Sequence, residues 1–465
     1  MKKINELSKI INYNKLYSSY YTNYPPVGEW NAECTENISY ATMLKETFSI
    51  KNNNKDVSLY IHFPFCNSQC YFCHCHTIIS KDHQKFNAFL ELLEKEILIF
   101  KKMIQKENLD INIVDIHLGG GSPSGMNKEE FKYMKKILSH ILSFDKISEF
   151  SIEIDIRFCS IEDISNFAKE GITRISFGLQ DFDPNVQKAI NRIQPYSQFE
   201  ELLPQIRDKF SGINFDLIYG MPHQTIESFT RTIENVIKLC PDRIALYKYN
   251  HKPDLYRHQQ LIKNESLPSE EDNIKINYYA IEKLIENEYI RVGIDHFAKK
   301  TDNLGQSALN SELKRNFMGY TAGEYGCTIA FGPSSMSDLY KYYTQNTYDM
   351  EFYEKSIIDN KLPLFRGYKL TEDDILRREV IYAIMNNFKI DMKIIENSFN
   401  IKFKEYFLNE FRKLEVLEKD GLVIIEQNSL VVTELGKYCL RNIAIIFDAI
   451  YTKNNEYKYS KDFSK

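Results

Sequence analysis

With 465 residues and a formal net charge of −5, the chain is long enough for one large and one smaller unit and carries no global attraction for nucleic acid or anionic membrane. No run approaches the roughly 20 apolar residues that cross a bilayer, and the opening Met1-Lys2-Lys3-Ile4-Asn5-Glu6 lacks the apolar heart of a secretion signal. A cytosolic protein without membrane or nucleic-acid partners is the expectation, and the scattered Cys34, Cys159, Cys240, Cys327 and Cys439 read as ordinary reduced thiols.

Residues 1–56 carry aromatic and polar residues around Tyr20-Tyr21-Thr22-Asn23-Tyr24-Pro25-Pro26 with no strong periodicity, as a wrapping segment would. An apolar strand at 57–65 opens an alternation of elements. It continues with helix 82–108, strand 111–117, helix 127–142, strand 149–155, helix 160–171 with a Ser160/Asp163 capping signal, and strand 174–180. Strands at 213–220, 243–250 and 290–297, with helices 225–239 and 270–287 between them, complete the pattern of a partial parallel (β/α) barrel over 57–342. From 343 to 465 the character changes to helices at 371–387, 392–398 and 406–419 and a short hairpin at 422–425 and 429–433, a mainly helical, winged-helix-like cap domain.

Directly after the first strand stands Cys66-Asn67-Ser68-Gln69-Cys70-Tyr71-Phe72-Cys73-His74-Cys75. Thiolates at such short spacing converge on a soft metal centre, an iron–sulfur cluster or zinc. Cys66, Cys70 and Cys73 suit a cubane, and three thiolates on four irons leave one iron open to an exchangeable ligand. Zinc held by Cys70, Cys73, Cys75 and His76 is the bland alternative. Leu118-Gly119-Gly120-Gly121-Ser122-Pro123 ends the next strand, and glycines there admit a ligand where any Cβ would collide, or simply make a turn. No Lys-Ser/Thr follows, which disfavours phosphate cradling. His62, four residues before Cys66, is placed near any cluster, whereas His296 reads as a core histidine.

Together the two motifs resemble the radical S-adenosylmethionine enzymes. The likeness sharpens to the oxygen-independent coproporphyrinogen III oxidase (dehydrogenase) family through Tyr60-Ile61-His62-Phe63-Pro64-Phe65-Cys66, Ser151-Ile152-Glu153-Ile154-Asp155 and Phe177-Gly178-Leu179-Gln180-Asp181-Phe182. Asn191-Arg192, Asp216-Leu217-Ile218-Tyr219-Gly220-Met221-Pro222, Asp295-His296-Phe297-Ala298 and Arg315-Asn316-Phe317 extend it. The resemblance implies a barrel of the radical S-adenosylmethionine type with a [4Fe–4S] cluster on Cys66, Cys70 and Cys73. Cys75 would stay off the iron as a near-site thiol and, with His62 and Tyr60, serve catalysis. Two S-adenosylmethionine molecules are implied, the first served by Tyr60, Gly120, Glu153 and Met336, the second by Phe72, Gly121, Ser122, Gln180, Arg192, Asp216 and Asn250. A carboxylate such as Glu153 or Asp216 accepts from ammonium or ribose hydroxyl groups, and Arg192 forks onto a carboxylate; without the motifs these would read as capping or ion-paired residues.

The implied reaction uses one electron and S-adenosylmethionine to make a 5′-deoxyadenosyl radical, which removes hydrogen from a substrate propionate; carbon dioxide leaves, a vinyl group remains, and an electron passes to an acceptor. A tetrapyrrole substrate, a separate electron donor and acceptor, and a monomeric enzyme are the partners and state implied. Tyr20 stands where the family's block begins with arginine, Ala322-Gly323-Glu324 follows Gly319-Tyr320-Thr321 where a glutamine is usual, and His74 replaces a glycine. Because buried carboxylates need charged or donor partners, these departures leave haem ring opening, C-methylation, or haem binding and trafficking on the same scaffold as rival readings.

Overall fold

A computed structural model of the chain describes residues 2–16, 21–50, 55–323 and 325–451. Asp56–Phe63 forms the first strand (β1), buried at almost every position, as a parallel strand covered on both faces requires. Asn112–Gly120 (β2), Glu149–Ile154 (β3), Arg174–Gln180 (β4), Gly212–Tyr219 (β5) and Arg243–Lys248 (β6) follow, each parallel to the strand before it. Amphipathic helices His83–Lys106 (α1), Lys128–Leu138 (α2), Ile161–Lys169 (α3), Tyr196–Ile206 (α4) and Ile226–Leu239 (α5) make the crossovers. The Ser160/Asp163 signal is realised at α3, where Asp163 N donates to Ser160 Oγ at 3.1 Å and Ser160 N to Asp163 Oδ2 at 2.9 Å.

Cys327–Phe331 (β7) returns beside β1 in parallel. Met336–Asp338 (β8), Tyr342–Asn346 (β9) and Leu364–Lys369 (β10) then extend the sheet antiparallel, and these ten of its twelve strands run in the order β10-β9-β8-β7-β1-β2-β3-β4-β5-β6. Phe63, Phe65, Phe86 and Phe89 pack ring against ring beneath the end of β1.

The chain divides into two units, one of Trp30–Leu267 with Gly323–Lys369 and one of Met1–Glu29, Pro268–Ala322 and Leu370–Lys465. This partition differs from the expected 1–56, 57–342 and 343–465. Trp30 stacks on Tyr343 at 5.2 Å and Asn31 bridges to Gly367, so the segment from Trp30 belongs to the larger unit, and β9 and β10 continue its sheet. The strand expected at 290–297 is instead an antiparallel pair, Tyr289–Val292 and His296–Lys299, joined through Gly293 at φ +56°, and it lies in the smaller unit.

In that smaller unit, helices Glu372–Asn387, Met392–Phe399 and Leu408–Lys419 accompany a three-stranded antiparallel sheet of Lys389–Asp391, Ser429–Val432 and Val423–Ile425. Ile384, Phe403, Phe407, Leu414 and Phe447 are buried at its core. Among the described residues no helix is long and apolar enough to cross a membrane.

Candidate active site

β1 delivers the chain into the cysteine loop, and backbone bonds tie off the loop's neck. Phe65–Cys66 pairs in parallel with Ile78–Ile79, Ile78 N donates to Pro64 O at 2.7 Å and Ser80 N to Cys66 O at 3.0 Å. The glycine run at the end of β2 docks on the same stretch, with Gly121 N on Phe63 O and Ser122 N on Phe65 O, both at 2.7 Å. A Cβ on Gly121 would stand 2.5 Å from Phe65 O, so only glycine permits this approach.

Cys70 is buried, Cys66 and Cys73 are half-buried and Cys75 is exposed. Burial pushes the Cys66 thiol well up, and the neighbouring Cys73 and Cys70 add to the rise, as they must where several incipient thiolates share one collar. Cys75 N donates to Cys73 Sγ at 3.3 Å. A side-chain hydrogen bond with Cys75, reinforced by that backbone bond, lowers the Cys73 thiol, and the side-chain bond raises that of Cys75. Cys70 Sγ accepts from Arg157 Nη2 at 3.3 Å and Arg192 Nη1 at 3.5 Å. Three crowded sulfurs that repel as thiolates fit a cationic iron–sulfur core, which relieves that repulsion. Among the described residues no three His, Cys, Asp or Glu side chains are already gathered closely enough to hold a metal ion.

Sheet register sets Tyr60 beside His117, and His117 beside Ser151. Ser151 and Glu153 lie two apart on β3 and share a face. His117 meets both, with Nδ1 at 2.7 Å from Ser151 Oγ and Nε2 at 3.2 Å from Glu153 Oε1. Burial opposes its charge, but Glu153's hydrogen bond and charge outweigh this and raise the His117 pKa. The Tyr60 ring lies parallel to His117 at 5.9 Å. Burial, then the charges of Glu153 and Cys75, push the Tyr60 phenol well above its ordinary range, so it stays protonated and donates to His62 Nδ1 at 3.2 Å. His62 Nε2 donates to His76 O at 2.9 Å. Burial lowers the His62 pKa to about 4, which keeps the imidazole neutral with both nitrogens engaged.

Further round the sheet, Gln180 ends β4 with φ +66° and is buried, its Oε1 without a hydrogen-bond partner. Such an orphaned acceptor is costly unless a ligand supplies the donor. Arg192 Nε donates to Gly178 O at 2.8 Å. Asp216 accepts from Ser176 Oγ at 3.0 Å and Asn214 Nδ2 at 2.9 Å. Phe72 packs on the buried cluster of Val186, Ile190, Met221, Tyr249 and Ile262. Met336 begins β8, opposite Gln345.

The sequence reading missed three parts of this region. His117 and Arg157 stood in or beside motifs but carried no signal of their own. A brace formed by residues 250–259 also escaped: His258 Nε2 donates to Cys73 O at 2.6 Å, Gln259 Nε2 to Phe72 O at 3.2 Å, and His74 Nε2 to Asn250 O at 2.7 Å. The His74 ring stacks on Tyr256 at 4.5 Å and 10°, so the histidine that replaces a glycine has a place built for it. His296 is buried in the smaller unit, its Nδ1 at 2.8 Å from Asp295 Oδ1. Tyr20 and Glu324 lie outside the described residues.

Comparison with known proteins agrees with this arrangement. The Radical SAM superfamily matches residues 60–236 and the HemN C-terminal domain matches residues 370–438. The oxygen-independent coproporphyrinogen III oxidase of Helicobacter pylori is 37% identical over 445 residues, covering 95% of this chain and 96% of that protein. The Escherichia coli oxidase of the same name is 34% identical over 429 residues, covering 92% of each. A solved structure of coproporphyrinogen III oxidase (HemN) from Escherichia coli, described as a radical SAM enzyme, superimposes with a TM-score of 0.86 at 34% identity, covering 93% of this chain and 97% of that one. Likeness of this extent, running through both the cysteine-bearing sheet and the carboxyl-terminal helices, means that the chain belongs to the oxygen-independent coproporphyrinogen III oxidase family of radical SAM enzymes, which work with a [4Fe–4S] cluster and S-adenosylmethionine.

Proposed function

We propose that the chain catalyses the oxygen-independent oxidative decarboxylation of coproporphyrinogen III to protoporphyrinogen IX. Each of two propionates gives up a hydrogen atom, an electron and carbon dioxide and becomes a vinyl group. The observation that carries this reading is likeness to relatives named for coproporphyrinogen III oxidation over nearly the whole of both chains. Cys66, Cys70 and Cys73 would hold the cluster. Tyr60, Gly120, Glu153 and Met336 would serve one S-adenosylmethionine, and Phe72, Gly121, Ser122, Gln180, Arg192, Asp216 and Asn250 a second. When bound, the cluster and S-adenosylmethionine supply one-electron bond cleavage and removal of a hydrogen atom.

The chain's own groups bind, orient and withhold protons. His117, whose pKa the neighbouring carboxylate raises, stands against Glu153 Oε1, and that carboxylate offers acceptors to an ammonium or hydroxyl donor. Tyr60 and neutral His62 hold each other through a hydrogen bond and give up no proton near neutral pH. The unpartnered Gln180 Oε1 accepts from whatever fills the end of β4, and Asp216, already oriented by Ser176 and Asn214, suits vicinal hydroxyls. Cys75 and His62 would act beside the cofactor rather than on it. A separate low-potential donor and a separate acceptor would serve a cytosolic monomer that has no nucleic-acid or membrane partner.

The test is anaerobic incubation of the reconstituted chain with reductant, S-adenosylmethionine and coproporphyrinogen III, followed by mass spectrometry. Loss of two carbon dioxide units from the tetrapyrrole is the expected product. Formation of 5′-deoxyadenosine with an unaltered or methylated tetrapyrrole would overturn the substrate assignment. Equilibrium dialysis with S-adenosylmethionine tests the second molecule, and a stoichiometry of one per chain would remove it.

A further inference from the structure

Among the clustered cysteines, Cys70 has distinctive company. Its sulfur accepts from two guanidinium groups, Arg157 Nη2 at 3.3 Å and Arg192 Nη1 at 3.5 Å. One carboxylate holds both arginines. Asp155 takes Arg157 as a fork, Nε on Oδ1 at 2.9 Å and Nη2 on Oδ2 at 2.6 Å, and takes Arg192 Nη1 on Oδ2 at 3.1 Å. Two further donors go to the backbone: Arg157 Nη1 to Asn191 O at 3.1 Å and Arg192 Nε to Gly178 O at 2.8 Å.

The side chains of Arg157 and Arg192 are only 10% and 9% exposed, so solvent screens them little. Two cations against one anion leave a unit of fixed positive charge beside a single sulfur. Asp155 and Arg192 lie in the blocks 151–155 and 191–192 quoted above, whereas Arg157 stands outside both and has no part in the residue sets above. Its fork geometry is one that lysine cannot reproduce.

We propose that Arg157 is a positioning residue that sets the reduction potential of the cluster. Through the hydrogen bond to Cys70 it stabilises the extra negative charge of the reduced cluster, and through Asp155 it holds Arg192 against the same sulfur. Hydrogen bonds to ligating sulfur and nearby positive charge raise a cluster's potential. Loss of the Arg157 guanidinium therefore makes the cluster harder to reduce by whatever one-electron donor serves it. The inference rests on Cys70 being a cluster ligand.

Full-length wild-type, Arg157→Gln and Arg157→Lys chains, each reconstituted anaerobically with iron and sulfide, would be titrated with a low-potential viologen and followed by electron paramagnetic resonance. Arg157→Gln is expected to disfavour reduction at least tenfold, a fall of about 59 mV for one electron, with unchanged iron content. Arg157→Lys keeps the charge without the fork, and its midpoint is expected between the other two. An unmoved midpoint in loaded Arg157→Gln would overturn the inference; where that variant fails to load, an unmoved midpoint in Arg157→Lys does so. A wild-type chain that binds no cluster overturns the ligand assignment itself, a failure distinguishable from loaded variants with wild-type potentials.

Discussion

A Cβ on Gly120 would fall 2.4 Å from His62 Nδ1. The ring cannot retreat, because Nε2 is engaged with His76 O and Nδ1 with the Tyr60 hydroxyl. Gly120 also has φ +103°, a conformation costly for any residue with a side chain. Gly120→Ala is therefore expected to destabilise the chain by roughly 2 kcal/mol and to move His62 and Tyr60 together. Urea unfolding would measure the first effect. Binding of S-adenosylmethionine to the cluster-loaded protein would measure the second, expected to weaken at least about tenfold. Wild-type affinity in a folded variant would separate the His62–Tyr60 pair from the cofactor.

Cys75 meets Cys73 through its side chain and through its backbone nitrogen, and the backbone contact survives replacement of the thiol. Cys75→Ser should accordingly retain the cluster's visible absorbance and its iron and sulfide content. Cys66→Ser, Cys70→Ser and Cys73→Ser should each lose them, along with reductive formation of 5′-deoxyadenosine. Iron content in any of these three equal to that of the wild type would strike that thiol from the ligand set.

The cysteine loop and the glycine run were legible as neighbours because alternating strands and helices place both at the ends of adjacent parallel strands. The bonds of Gly121 and Ser122 to Phe63 and Phe65 carbonyls then follow from register. Arg157 was not legible, since its contact with Cys70 spans 87 positions and an arginine in a turn looks like any surface cation. The brace on the cysteine loop was hidden for a related reason. Tyr256, His258 and Gln259 lie in and beside a short 3-10 turn, Arg257–Leu261, that has no hydrophobic period to reveal which face it buries. At 290–297 an apolar run read as one strand, but Gly293 at φ +56° folds it into an antiparallel pair. A glycine within a run marks a possible break without saying which way the chain turns.

In the smaller unit, Asp295 is buried and accepts from His296 Nδ1 at 2.8 Å and Arg441 Nη2 at 3.1 Å, with Arg315 Nη1 at 3.8 Å. Those arginines also bind the amino-terminal segment, Arg441 Nε on Tyr21 O at 3.2 Å and Arg315 Nε on Thr22 O at 3.0 Å. Burial opposes the carboxylate charge, but the His296 bond and the two guanidiniums outweigh it and hold Asp295 well below the usual range. A depressed carboxyl contributes stability above its unfolded pKa of about 3.9, and that contribution is lost as pH falls through the folded value. Asp295→Asn is expected to cost about 3 to 5 kcal/mol near neutral pH by leaving buried cations short of a partner. The deficit relative to wild type should shrink in acid, and a deficit in urea unfolding that stays constant from about pH 7 to about pH 3 would show that charge is not what Asp295 supplies.

Glu96 works with the opposite sign. It lies on α1, is 1% exposed, and accepts from Tyr353 OH at 2.6 Å, Asn346 Nδ2 at 2.7 Å and Gly332 N at 2.9 Å. Burial raises its pKa to about 7, against the lowering effect of those three donors. The folded chain thus keeps a proton that the unfolded chain releases from an ordinary carboxyl value of 4.5 upward. Stability from this group is therefore fully present below that value, declines as pH rises toward about 7, and is level above. At about 1.4 kcal/mol per pKa unit the decline is on the order of 3 kcal/mol. Glu96→Gln carries no titrating proton, so the slope of unfolding free energy between about pH 5 and about pH 7 should flatten in the variant. The chemistry of the donors makes the comparison sharp, because Gly332 N and Tyr353 OH both donate to Oε2, and a glutamine can meet them only with its carbonyl while Asn346 turns its own amide to match. An undiminished slope in Glu96→Gln would assign the pH dependence of this region to Asp115 or Asp181, two other carboxyls of the larger unit, each raised to about 6 chiefly by burial.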